Sequence, residues 1–109
     1  MAELDFAGLM RQAQAVGEKL KELKERVAQK TVEGSAGGGL VKVTVDGTLH
    51  VRAVEIDRML LESNDRAMLQ DLVAAAINDG LERAQKLVAE EIGSLGPLEA
   101  LRLAGFGGK

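Results

Sequence analysis

From Phe6 onward apolar residues recur at alternating steps of three and four: Phe6, Leu9, Ala13, Val16, Leu20, Leu23 and Val27. That is the 3.5-residue repeat of a helix packed along a seam, and it predicts one long helix over residues 5 to 29. Gln, Glu, Lys and Ala on its other faces favour the helix, while Gly17 in the interior costs about 1 kcal/mol relative to Ala. The period then falls to two. Val41, Val43 and Val45 alternate with Lys42, Thr44 and Asp46, and Asp46-Gly47 supplies a turn before Leu49 to Ile56, the pattern of a β-hairpin. A three-residue loop pairs Val45 with Leu49, Val43 with Val51 and Val41 with Ala53, a register that buries consistently. Val54 and Ile56 then fall on the Lys42/Arg52 face, which calls for a bulge or an element covering that end of the sheet. Thr31 to Glu33 is expected to add a short edge strand, with Gly34 to Gly39 as a central loop.

Ser63, Asn64 and Asp65 offer capping oxygens ahead of a broad helical stripe that includes Met68, Leu69, Leu72, Val73, Ala76, Ile77, Leu81 and Ala84. A second long helix is predicted from about 65 to 92, ended by Gly93 and Gly96-Pro97. The fold class is therefore α+β: a long N-terminal helix, a small three-stranded antiparallel sheet and a long second helix. Residues 1–96 are read as a single domain and 97–109 as a flexible Gly-rich tail. A sheet this small covers only part of two such helices, so apolar surface is left over, and surface of that extent marks an interface. A homodimer with projecting helices is expected, held along Leu9, Val16, Leu20, Leu23 and Val27.

Charge adds a second pattern. The 109 residues sum to −3, which provides no global attraction to phosphate. Residues 11 to 30 nevertheless carry six Lys/Arg against three Glu, whereas residues 62 to 91 carry three against seven acids. Lys19, Lys24 and Arg26 flank the helix 1 seam. They are left either to pair with acids of the second helix, such as Asp79 or Glu82, or to meet an anionic partner. With neither Trp nor Tyr and only two Phe, the chain has little to stack on bases. The absence of Cys excludes disulfides, Cys-zinc sites and thiol chemistry, and fits a reducing cytoplasm. The N-terminus lacks the positive start and apolar run of a signal peptide, and no stretch is long enough to span a membrane.

Chemistry finds few candidates. The glycine-rich Gly34-Ser-Ala-Gly-Gly-Gly39 is followed by Leu40-Val41 and a strand, whereas a phosphate-cradling loop needs Lys-Ser/Thr and a helix. His50 is the only histidine, expected to point outward on the strand beside Thr44, so no His-based metal cluster forms. Glu55 and Asp57 alternate along one strand without an apolar pocket to tune either into an acid. The expectation is a protein with no enzyme activity, no cofactor and no metal.

Four strings stand in order along residues 9 to 79. They are Leu9-Met10-Arg11-Gln12-Ala13-Gln14, Gly37 to Gly47 (GGGLVKVTVDG), Val54-Glu55-Ile56-Asp57, and Met68 to Asp79 (MLQDLVAAAIND). In these the chain resembles the YbaB/EbfC family of bacterial nucleoid-associated proteins. The resemblance implies a small α+β dimer with helices projecting like the arms of tweezers, binding double-stranded DNA in the cytoplasm at the nucleoid, with roles in chromosome organisation or gene regulation. It implies no enzyme activity and no cofactor. By charge and position, the expected phosphate contacts are Arg11, Lys19, Lys21, Lys24, Arg26 and Lys30 on helix 1, with Lys42 and Arg52 as a smaller patch on the sheet. The competing reading is a cytoplasmic interaction module whose exposed seams dock a protein partner, with DNA binding incidental.

Overall fold

The computed structural model describes residues 5–94; the expected tail at 97–109 lies outside them. Its order is α1 (Phe6–Ala28), β1 (Thr31–Ala36), β2 (Val41–Asp46), β3 (Val51–Ile56), α2 (Arg58–Glu62) and α3 (Arg66–Gly93). The strands form one antiparallel sheet in the order β1-β2-β3, so the α+β class and both long helices are present. Asp5 starts α1 by accepting the Gly8 N–H at 3.0 Å. Asp57 and Asp65 cap α2 and α3 in the same way, through the N–H groups of Met59 and Met68.

Alternation puts Val41, Val43 and Val45 of β2 on one face, fully buried. Over that face lies α3, which packs on β1 and β2 through the small residues Ala76, Gly80 and Ala84. Leu60 of α2 closes one end of this core. Because α3 leaves β3 largely uncovered, the residues of β3 are exposed except for half-buried Ile56.

Four expectations need correction. The edge strand does not stop at Glu33: it runs to Ala36, and Gly34 is a buried strand residue rather than part of a loop. The connection is the tight turn 37–40, where Gly37, Gly38 and Gly39 take φ of +67°, +69° and +98°, the left-handed region open to glycine. The hairpin register differs from the expected one by two residues at Val45 and by three beyond the bulge. Val45 pairs with Val51, and a bulge at Thr44/Val45 then sets Val43 opposite Val54 and Val41 opposite Ile56. The bulge is the feature that Val54 and Ile56 required, and it returns both to the apolar face. His50 sits in the loop rather than on a strand, its Nδ1 2.7 Å from the Thr48 hydroxyl. Finally, α2 occupies residues 58–62, between the expected strand and the expected second helix, where no element was expected.

The register follows from Asp46. Its buried carboxylate accepts the Thr48 N–H (2.8 Å), the Thr48 hydroxyl (2.6 Å), the His50 N–H (3.2 Å) and the Arg52 Nε–H. These bonds wrap 46–50 into the loop and place Leu49 at φ +67°. They also hold the carboxyl well below its ordinary pKa, the Thr48 hydroxyl contributing most and burial opposing.

Candidate nucleic-acid interface

Helix α1 is about 34 Å long at 1.5 Å per residue, yet only Leu23 and Val27, near its C-terminal end, are buried. Phe6 and Leu9 are exposed along the rest, at 70% and 48%. The helix thus leaves the body as an arm, and the described residues extend over 76 × 23 × 20 Å. Its root is fixed by the hairpin tip. Gly47 donates its N–H to the Val27 carbonyl at 2.9 Å and to that of Lys30 at 3.2 Å. A Cβ on Gly47 would stand 2.5 Å from that of Val27, so glycine is what lets the tip reach the helix.

The expected phosphate contacts divide by location. Arg11, Lys21 and Lys24 project from the exposed arm, with no ion pair among the described residues. Lys21 and Lys24 are one helical turn apart on one flank. Lys19 is exposed on the arm as well. At the root, Arg26 and Lys30 both bind Glu91 of α3, at 3.4 and 2.5 Å. The acid that meets this flank is therefore Glu91. Asp79 accepts the Ser35 N–H at 3.0 Å and pairs with Arg83 at 3.1 Å. On the sheet, Arg52 pairs with the buried Asp46, and Lys42 lies opposite Glu55 in the register. The sheet patch carries as many acids as bases, which concentrates the uncommitted positive charge on the arm.

Two features escaped the sequence. Glu91 is one, since it lies 61 and 65 residues from its partners. The other is an apolar surface around β3 and α2: Val51 and Val54 are 42% and 43% exposed, Met59 and Leu61 66% and 56%. Of the expected interface residues, Leu9 and Leu20 are exposed and Val16 is half-buried, while Leu23 and Val27 are buried within the chain itself.

Nothing else described resembles a reaction centre. A groove of about 610 Å³ between β1 and α3 is lined by Glu33, Asp79, Glu82 and Glu90 against Arg83 and Lys86, an excess of acid that disfavours an anionic ligand. The Asp79 carboxyl is held below its ordinary range, first by the Ser35 N–H and then by Arg83, so it is charged at neutral pH. Among the described residues no cluster of His, Asp and Glu could hold a metal ion, and no helix is long and apolar enough to cross a membrane.

Comparison with known proteins follows the same line. The model of the YbaB/EbfC DNA-binding family matches residues 1–98. A nucleoid-associated protein of Syntrophobacter fumaroxidans is 45% identical over 86 residues, covering 79% of this chain and 78% of that one. Another, of Desulfotalea psychrophila, is 44% identical over 92 residues, covering 84% and 87%. The crystal structure of an uncharacterized protein from Helicobacter pylori superimposes with a TM-score of 0.73 at 25% identity, over 86% of this chain and all of that one.

Proposed function

The chain belongs to the YbaB/EbfC DNA-binding family, and on that premise we propose that it is a homodimeric nucleoid-associated protein that grips double-stranded DNA with its helical arms. The observation that carries this reading is the arm: a helix packed only at its root, displaying Arg11, Lys21 and Lys24 clear of the body's acids. Helix cations of this kind neutralise phosphates without reading bases. Binding is tolerant of sequence and steeply salt-dependent, because affinity comes from counterion release. Chromosome organisation follows if two arms of one dimer hold one duplex or bridge two.

Dimerisation is supported by the uncovered half of the sheet. Val51 and Val54 on β3 and Met59 and Leu61 on α2 are exposed apolar residues, and β3 is an edge strand of the sheet. A second copy brings the same face and a complementary edge. The test is a gel shift on random-sequence duplex across a salt series, run with a lysate pull-down before and after nuclease. Salt-sensitive shifts and nuclease-released partners support the proposal. Absent shifts with nuclease-resistant partners favour a protein-docking module, the reading suited to the exposed Phe6, Leu9 and Leu20 stripe.

A further inference from the structure

The arm meets the body at an electrostatic junction. Glu91, near the end of α3, engages both of its carboxylate oxygens: Oε2 accepts from Lys30 Nζ at 2.5 Å and Oε1 from Arg26 Nη1 at 3.4 Å. The acid side chain is only 12% exposed, whereas the two cations are 42% and 47% exposed. A phosphate can therefore approach Arg26 and Lys30 from solvent, but it meets donors already turned toward a carboxylate. One negative charge shared by two positive ones leaves the root at +1; without the carboxylate it stands at +2. The same contact spans the one place where α1 changes from packed to unpacked, beside Leu23, Val27 and the Gly47 tether.

We propose that Glu91 is a positioning residue for DNA binding: it withdraws Arg26 and Lys30 from phosphate and clamps the arm root, so that the duplex is met by the outer cations of the arm. The inference rests on the reading of the arms as the DNA-contacting element. Lys30 first, then Arg26, hold the Glu91 carboxyl below its ordinary range, so the clamp is charged throughout neutral pH. The phosphate-contact count is thereby set by an acid that touches no DNA. Nor does the clamp reduce to a surface ion pair that only stabilises the fold, because it sequesters two donors of the kind that bind phosphate.

Two measurements test it. The first compares duplex binding of the wild type, Glu91→Gln, Arg26→Gln/Lys30→Gln and the triple variant over 50 to 200 mM salt. Glu91→Gln is expected to steepen the salt slope by up to about 2 units, so that its affinity relative to wild type falls about tenfold across that range. The change vanishes when Arg26 and Lys30 are already Gln. An unchanged slope, a uniform loss of affinity at every salt, or an effect that persists in the triple variant overturns the proposal. The second needs no DNA. The chain has no native cysteine, so spin labels at Ala13→Cys and Gln70→Cys, diluted into unlabelled protein, report the arm against the body. Glu91→Gln is expected to broaden their distance distribution, and an unchanged distribution overturns the clamp. A wild type that shows no salt-dependent duplex binding removes the DNA reading itself, a result distinct from either failure.

Discussion

Gly34 of β1 and Gly80 of α3 meet backbone to backbone: a Cβ on Gly34 would stand 2.5 Å from the Gly80 Cα, and one on Gly80 2.7 Å from a Val45 methyl. This approach brings α3 down onto the edge strand, close enough for Asp79 to accept the outward Ser35 N–H. One outward N–H of the β1 edge is thus taken up by the chain's own helix, whereas α3 leaves β3 largely uncovered.

Gly34→Ala is expected to cost about 3 kcal/mol, the upper end of overpacking, because the added methyl meets backbone that cannot rotate away. Gly80→Ala gains about 1 kcal/mol of helix propensity and loses more against Val45, for a net loss of about 1 to 2 kcal/mol. Gly17→Ala, with nothing within 4 Å of its Cβ, should instead stabilise by up to about 1 kcal/mol. Urea unfolding at one fixed protein concentration checks the order of the three.

These glycines show where reading the sequence stops. The long helices and the three strands were legible because period 3.5 and period 2 report which face is buried, and that is local information. Gly34 looked like a loop residue because its partner Gly80 lies 46 positions away, inside an otherwise ordinary helical stripe. The register shifted because Asp46, read as a turn residue, turned its carboxylate inward and built the loop beyond itself. Of α2 the signal was present: Asp57 caps a run of Met and Leu, but the run is too short for periodicity to speak. The arm cations were visible as composition, whereas the partner of Arg26 and Lys30 was a matter of tertiary geometry.

Acid should loosen the protein through known groups. Asp46, Asp79 and Glu91 all have folded-state pKa values below their ordinary ones. Their stabilisation is therefore complete above the ordinary carboxylate range, about pH 4, and is lost as pH falls through the folded values. Melting temperature should hold from neutrality to about pH 5 and decline below it. Asp46→Asn should start lower, since the Arg52 and Thr48 donors lose a charged acceptor, and its acid decline should be shallower. A decline as steep as the wild type's would assign the pH response to other carboxylates.

The open half of the sheet predicts which substitution would split the proposed dimer while sparing the chain. Light scattering should report about 23 kDa, twice the 11.6 kDa of one chain. Val54→Lys places a charge where 43% of the residue is already exposed in the single chain. It should reduce the mass toward the monomer with helix content retained. Leu23→Asp, at the buried arm root, should instead damage the fold. Should Val54→Lys remain dimeric while Leu20→Asp separates the subunits, the interface lies along the α1 seam.

The arm itself makes the sharpest prediction about DNA. Replacing Arg11, Lys21 and Lys24 together by Gln keeps good helix formers at all three positions, so the arm persists while three positive charges disappear. Each phosphate contact contributes about 0.9 to the slope of log affinity against log salt, and the triple variant should flatten that slope by up to about 3 units for each arm engaged. Arg83→Gln/Lys86→Gln is the matched control: these cations lie in the acidic groove, where Arg83 is already paired with Asp79 at 3.1 Å. Their loss should leave the slope nearly unchanged. Lys42→Gln, opposite Glu55 on the sheet, should likewise do little. Losses in proportion to the charges removed, three, two and one, would mean that binding follows total charge rather than the arm. A flattened slope confined to the Arg11, Lys21 and Lys24 variant identifies the projecting helix as the surface on which the duplex rests.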